Sequence, residues 1–356
     1  MDLPYRLKTP VTEWDPTQFF REGDPPSPYA LLILNHPINE KAYEVLQQHA
    51  CMTVCADGGA NRFYEMMKAR GREYTDFPTA IIGDLDSINP QTRTHYETQG
   101  VPVIQHVDDY STDFHKSLQY IRSNAASILA GAAVPPPNAQ VPASVTPQAP
   151  AQPQSQATAQ AQPQEPTTTP PLDILVLGGL GGRVDQAFSQ IHHLFYMTQE
   201  LRQTSPGKGV SGGGSGSENL YLVSEESITF VLQAGRNIVQ TPRVNRPIGE
   251  GNTSEEGQGE TEREGQAGDV GAGAEGNNTA TAAAAQHLLE ENVGIIPLCG
   301  PARITTAGFQ WDVADWKTEI GGQLSTSNHI RADVVKVEAK VPVLLTLELA
   351  ERFKKK

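Results

Sequence analysis

Ala80-Ile81-Ile82-Gly83-Asp84-Leu85-Asp86-Ser87-Ile88 is the stretch on which the fold turns. Ile81 and Ile82 read as the apolar end of a buried strand, and Gly83 lets the backbone turn where that strand stops. Two carboxylates, Asp84 and Asp86, then stand two residues apart at the strand's carboxyl end. Open α/β sheets bind ligands at this edge. A pair of hard oxygen donors there suits Mg²⁺, which takes few carboxylates and completes its shell with waters and substrate phosphates. The alternative is a surface turn whose aspartates cap a helix and face solvent.

Three further clusters repeat the plan. Cys55-Ala-Asp-Gly-Gly-Ala-Asn-Arg62 follows the apolar Met52-Thr53-Val54. Tyr110-Ser-Thr-Asp-Phe-His-Lys116 and Leu175-Val-Leu-Gly-Gly-Leu-Gly-Gly-Arg-Val-Asp185 are the other two. Each joins a strand-like approach, small residues at a turn and a helix-like pattern carrying Asp or Lys. Four junctions polar at the same end describe one active-site edge. Around them, strands are predicted over 30–34, 52–56, 79–82, 101–104, 173–177, 221–223 and 228–232, and helices over 39–49, 60–69, 113–128 and 184–201. Such alternation argues for a mostly parallel sheet flanked by helices. From 293 onward the pattern changes to short strands, at 293–298, 302–306, 308–313, 323–325, 333–339 and 343–349, punctuated by Gly and Pro. That is the signature of a β-sandwich or barrel.

Three segments lack the apolar residues to build core: 131–171, 205–217 and 241–287, rich in Ala, Pro, Gln, Gly, Glu and Thr. They read as disordered insertions. What remains suffices for an α/β nucleotide-binding catalytic domain over 1–233 and a β-sandwich domain over 234–356. A formal net charge of −14 argues against a nucleic-acid surface. Three cysteines, Cys51, Cys55 and Cys299, have no metal-ligand spacing and suit a reducing, cytoplasmic compartment. Met1-Asp-Leu-Pro-Tyr5 has no signal-like apolar core, and no apolar run reaches the ~20 residues of a membrane span.

The individual junctions keep two readings each. Gly178-Gly-Leu-Gly-Gly-Arg183 exposes backbone N–H groups as a phosphate loop would. It does not match the dinucleotide spacing, and no acidic strand end follows it about 20 residues on. Arg183 and Asp185 are therefore read as substrate-contacting groups, or as a tight strand-to-helix turn with a capping Asp. Thr112 can cap the following helix, with Asp113 in its first turn. Alternatively Asp113 is a third carboxylate near the metal, and Lys116, one turn on, meets phosphate oxygens. His115 points to another face of that helix.

Taken together, Cys55–Arg62, Ile81–Ser87, Ser111–Lys116 and Leu177–Asp185 resemble the ordered motifs of the thiamine pyrophosphokinase family. Gly294-Ile-Ile-Pro297, Thr305-Thr-Ala-Gly-Phe-Gln-Trp311 and Leu324-Ser-Thr-Ser-Asn328 extend the resemblance. It implies transfer of the terminal pyrophosphoryl group of ATP to the thiamine hydroxyl, yielding thiamine diphosphate and AMP with Mg²⁺. It implies a homodimer in which thiamine binds between the α/β domain of one subunit and the β domain of the other. By matching motifs, Asp84, Asp86 and Asp113 would hold Mg²⁺. Asp57, Asn61, Lys116 and Arg183 would surround the phosphates, with Asp185 near the substrates. Ser325 and Asn328 would contact thiamine. The chain departs from the family at Asp109 and Gln186, where Gln and His are frequent. Two other readings of the same residues are a metal-dependent phosphohydrolase with Asp84 as nucleophile and a non-catalytic thiamine- or nucleotide-binding module.

Overall fold

A computed structural model of the chain describes residues 11–108, 111–130, 172–203, 219–247 and 287–355. The expected insertions 131–171 and 205–217 lie outside the described residues, as do Asp109 and Tyr110. In chain order the strands and helices are β1 (Val11–Trp14), β2 (Tyr29–Ile33), α1 (Glu40–Leu46), β3 (Met52–Ala56), α2 (Gly59–Ala69), β4 (Ala80–Gly83), α3 (Pro90–Thr98), β5 (Val103–Gln105), α4 (Asp113–Leu129), β6 (Asp173–Leu177), α5 (Val184–Gln203) and β7 (Leu220–Val223). There follow β8 (Ser227–Leu232), β9 (Gly235–Gln240), β10 (Val244–Asn245), β11 (Leu289–Pro297), β12 (Ala302–Ala307), β13 (Trp316–Thr318), β14 (Ser325–His329), β15 (Val334–Ala339) and β16 (Val343–Leu349). The chain divides into two compact units, one of Gly23–Glu225 and one of Met1–Glu22 with Glu226–Lys356.

The first unit is an α/β layer. Its strands run in the order β7-β6-β2-β3-β4-β5, and every pair is parallel. β2, reading Tyr-Ala-Leu-Leu-Ile, is buried along its whole length, as a central parallel strand must be. Asn39 caps α1 by accepting the Ala42 N–H at 3.1 Å, and Thr112 caps α4 by accepting the His115 N–H at 3.2 Å. The β2-α1-β3 and β6-α5-β7 crossovers leave the sheet centre in opposite directions. Right-handed crossovers then put α1 and α5 on opposite faces, which opens a crevice above the carboxyl ends of β2 and β6.

Among the described residues the second unit is β-rich, with short 3-10 turns at Gln18–Phe20 and Glu351–Phe353. One sheet has the order β1-β9-β15-β12-β13, and a second set runs β10-β11-β16-β8 with β14 added to β11. β12 and β15 alternate buried and exposed residues, so one face packs inward and one meets water. Trp14 anchors β1 here: its indole N–H donates to Asn237 Oδ1 at 3.0 Å, and its ring lies 4.9 Å from Phe230. That parallel pairing, with Val11 opposite Arg236, places residues 11–22 in the β unit. β8 belongs there too, because it pairs antiparallel with β16.

Two expectations need correction. The expected insertion over 241–287 is described through 247: Thr241 is buried and gives its N–H to Asp333 O and its hydroxyl to Ala332 O. Of that span, 248–286 lies outside the described residues. The strand expected over 308–313 is instead a bent segment that keeps one isolated antiparallel bridge, Phe309 to Ile330. Asp312 accepts the Gly308 and Phe309 N–H groups and the Thr306 hydroxyl at 3.0–3.2 Å, taking donors that a ladder would need.

Candidate active site

The carboxyl edge of the α/β unit gathers acid. Ligand oxygens of Asp57, Asp84 and Asp113 all lie within 4.8 Å of one another. Asp57 follows β3, Asp84 follows β4 and Asp113 opens α4, so parallel register brings three distant residues to one level. Gly83 makes the approach possible: a Cβ there would lie 2.6 Å from Asp57 Cβ and 3.0 Å from Asp113 Oδ1. The backbone is held in the left-handed region at Asp57 (φ 37°) and Leu85 (φ 67°). Each costs roughly 1–3 kcal/mol, a strain that marks sites where geometry is imposed.

The loop after β4 is clamped from below. The Asp57 carboxylate accepts the Ser87 N–H at 2.9 Å and the Ile88 N–H at 3.0 Å. Asn61 donates to Ser87 O at 2.9 Å and accepts the Asn89 N–H at 2.9 Å. Both Asp57 and Asn61 are buried. Their side chains fix the loop that carries Asp84 and Asp86. Burial pushes the Asp57 carboxyl up to about 6; the two backbone N–H bonds oppose the rise, and the charges of Asp113 and Asp84 add to it. A cation among the three carboxylates would relieve that repulsion, so the donor set fits Mg²⁺.

Lys116 supplies positive charge already in place. Its side chain is 1 % exposed, with Nζ 3.1 Å from Asp113 Oδ1 and 3.5 Å from Asp84 Oδ2. Burial pulls its pKa down, but the bond to Asp113 and the charges of Asp113 and Asp84 outweigh it, so the ammonium is held above its ordinary value. Asp86 is not in the three-carboxylate set. It is exposed, accepts the Ser87 hydroxyl at 2.7 Å, and donates its own N–H to Asp84 Oδ1 at 3.2 Å. The Ser87 bond, opposed by desolvation and aided by Asp57, Asp84 and Lys116, holds its carboxyl below the usual range.

Arg183 and Asp185 sit at the mouth of α5 and pair with each other, Nη2 to Oδ2 at 2.6 Å and Nε to Oδ1 at 3.1 Å. Both are largely exposed, and among the described residues no contact joins them to the carboxylates. The glycine loop before them bends through left-handed Gly178, Leu180 and Gly182. Gln190, buried on α5, accepts the Leu180 N–H at 2.6 Å and so fixes the loop on its helix.

In the β unit Ser325 and Asn328 lie on β14, beside a register shift in its pairing with β11 and a left-handed Ser327. Asn328 is buried. It accepts the Trp311 N–H at 3.2 Å and donates to Trp311 O at 3.0 Å. The indole it secures is 55 % exposed and meets the His329 ring at a centroid distance of 5.1 Å. Sequence reasoning singled out neither Trp311 as a site residue nor Asp57 as a member of the metal set. A large aromatic closing the motif Thr305–Trp311 was the available signal for the first. Asp57 at the end of a parallel strand, as Asp84 is, was the signal for the second.

Comparison with known proteins agrees with both halves. Residues 43–204 match the family model for the thiamin pyrophosphokinase catalytic domain, and residues 283–344 match that for the thiamin pyrophosphokinase vitamin B1 binding domain. Thiamine pyrophosphokinase 3 of Oryza sativa subsp. japonica is 25% identical over 334 residues, spanning 90% of this chain and 87% of that protein. Among solved structures, yeast thiamin pyrophosphokinase superposes with a TM-score of 0.64 at 19% identity, covering 98% of this chain and 94% of its own. Thiamin pyrophosphokinase from Candida albicans gives 0.61 at 22% identity, covering 95% and 93%. With both domain models matched in order and relatives aligned along nearly its whole length, the chain belongs to the thiamine pyrophosphokinase family.

Proposed function

We propose that the chain is a thiamine diphosphokinase: it transfers the pyrophosphoryl group of ATP to the hydroxyl of thiamine, giving thiamine diphosphate and AMP. The observation that carries this reading is the Asp57–Asp84–Asp113 cluster with Lys116 buried between two of its members. Transfer of a pyrophosphoryl group from the α–β anhydride of ATP to an alcohol, with AMP as the leaving group, needs positioning and charge neutralisation more than a covalent nucleophile. Asp84, Asp113 and Asp57 would hold Mg²⁺, which supplies a Lewis acid for the phosphate oxygens. Asp86, outside the inner set, would lend negative charge to the same site. Lys116 places a fixed positive charge at the phosphate chain and, by bonding Asp113 and Asp84, holds their carboxylates in position. Asp57 and Asn61 keep the Asp84 loop from moving as charge shifts. Arg183 turns from Asp185 toward the phosphates when nucleotide is bound, and Asp185 then faces the substrates.

Thiamine, a cationic aromatic molecule, suits the exposed Trp311 face, with Ser325 beside it and Asn328 holding the indole. We place this pocket opposite the carboxylate edge of a second copy in a homodimer. Two inactive variants, Asp84→Asn and Asn328→Ala, test that arrangement after mixing and subunit exchange. Random exchange makes half the dimers mixed, each with one intact site of two, so activity returns to about a quarter of wild type. A mixture that stays dead although mass spectrometry shows heterodimers removes the shared site. Among the described residues no helix is long and apolar enough to cross a membrane. Cys51, Cys55 and Cys299 are all unpaired, which supports the cytoplasmic placement. The reaction itself is tested by incubating the chain with ATP, Mg²⁺ and thiamine and separating the products.

A further inference from the structure

Two consecutive residues after β2, Asn35 and His36, lie against two glycine turns from different parts of the chain. A Cβ on Gly58 would fall 2.3 Å from Asn35 Nδ2, and a Cβ on Gly182 would fall 2.9 Å from His36 Cε1 and 3.0 Å from its Nδ1. Gly178 closes the other side of the same segment, since its Cβ would meet Leu34 O at 3.0 Å and His36 O at 3.1 Å. The absence of side chains at Gly58, Gly178 and Gly182 is therefore what admits this segment. It stands where the two crossovers part, above the ends of β2 and β6, which is the position at which open parallel sheets take their ligands.

We propose that His36 is a nucleotide-contacting residue whose imidazole, at the floor of the crevice between the β2 and β6 loops, donates a hydrogen bond to the β- or γ-phosphate of bound ATP. The proposal rests on the reading of ATP as substrate. Three observations carry it. Neither ring nitrogen has a hydrogen-bond partner among the described residues, although the ring is half-buried. The ring packs on the loop that feeds the N-terminus of the 20-residue α5, whose dipole favours an anion. Its Cε1–Nδ1 edge is turned to Gly182, which leaves Nε2 off that contact. Burial, and then the positive charge of Arg62, hold the ring neutral, so it keeps one donor and one acceptor nitrogen. A neutral donor beside Arg62 adds a directed bond without adding to the cationic repulsion there.

Calorimetric titration of the full-length chain with α,β-methylene-ATP and Mg²⁺ tests this, because the bridging carbon blocks transfer. His36→Ala should weaken binding of the analogue about tenfold, the size expected for one hydrogen bond to a charged group. His36→Gln should recover most of the loss, since its amide N–H can replace the imidazole donor. Binding of AMP and of thiamine should be unchanged in both variants. Three results would overturn the proposal: His36→Ala binds the analogue like wild type; it loses AMP as much as the analogue; or His36→Gln fails equally with a lowered melting temperature, which is the outcome for a ring that only fills space over Gly182. A wild-type chain that does not bind the analogue would reject the assignment of ATP itself, so the two failures are distinguishable.

Discussion

The carboxylate edge of the α/β unit and the Trp311 corner of the β unit are built by different means. At the edge, parallel register does the work: Val54 opposes Ala80 and Ile81 opposes Val103, so the loops after β3 and β4 end side by side. Each acidic residue needs only its own strand, glycine and turn to reach the site. At the corner, an irregular turn shaped by Asp312 presents Trp311, and Asn328 on another strand secures it by two backbone bonds. Neither segment makes the site alone. A charged site at the ends of parallel strands therefore assembles from distant motifs that are each readable on their own, whereas an aromatic site in an antiparallel unit depends on contacts that no single motif announces.

Substitution at the edge should do the greatest damage. Asp84→Asn or Asp113→Asn is expected to lower kcat at least about 100-fold, the scale of losing a group that stabilises transition-state charge, with circular dichroism unchanged. Asp57→Asn should fall in the same class, and Asp86→Asn should cost clearly less. Equal losses at Asp84 and Asp86 would return Asp86 to the inner set. Glycine tests the edge by crowding. Gly83→Ala should cost about 1–3 kcal/mol of stability and most activity, because its Cβ has Asp57 and Asp113 in the way. Gly181→Ala, with nothing within 4 Å of its Cβ, should be nearly silent. A silent Gly83→Ala would mean that the carboxylates are not packed as described.

The corner should respond in KM. Trp311→Ala is expected to raise the KM for thiamine about tenfold and leave that for ATP unchanged, in line with the worth of a stacked cationic aromatic. Asn328→Ala should go further and nearly abolish turnover of thiamine, because it frees the indole and removes a buried polar group from the same corner, with the KM for ATP unchanged. A rise in the ATP KM from either would break the division of labour. The smallest effect concerns the start of α4. His193 Nε2 lies 3.0 Å from the Thr112 hydroxyl. Burial, and then the charges of His192 and His115, lower its pKa to about 4. The unfolded chain, with an ordinary His near 6.5, binds that proton first. Stability from this residue is thus complete above about pH 6.5 and lost as pH falls toward 4. Thermal melts should show a shallower loss over that window in His193→Phe than in wild type. Equal slopes would show that His193 takes up its proton as readily in the folded chain as in the unfolded one.

Much of the edge was legible. The segments at β3, β6 and β16 have the bounds the sequence suggested, because predominantly apolar runs closed by Asp57-Gly58, Gly178 and Ala350-Glu351 leave little freedom. The Asp84, Asp113 and Lys116 grouping followed from strand ends and helix spacing. Other elements left weak traces. α3 has only Thr92 and Tyr96 buried, so its apolar period is faint, although Pro90 at its first position marks a helix start. β1 and β9 pair across more than 200 residues of sequence, and nothing in four residues announces such a partner. The turn at Asp312 looked like a strand because Phe309 and Trp311 alternate with polar residues. Its side-chain bonds decided otherwise. Asp57 had its motif quoted but not its weight, since its clamp on Ser87 and Ile88 exists only after folding.

On the proposed function, this edge moves a pyrophosphoryl group rather than a single phosphoryl group or water. Product analysis by ion-exchange chromatography, with ATP, thiamine and Mg²⁺ supplied, tests it most directly. The expected result is AMP and thiamine diphosphate in equal amounts, no orthophosphate, and loss of both products with EDTA or with Asp84→Asn. ADP with thiamine monophosphate, or orthophosphate released at the same rate with or without thiamine, would contradict it.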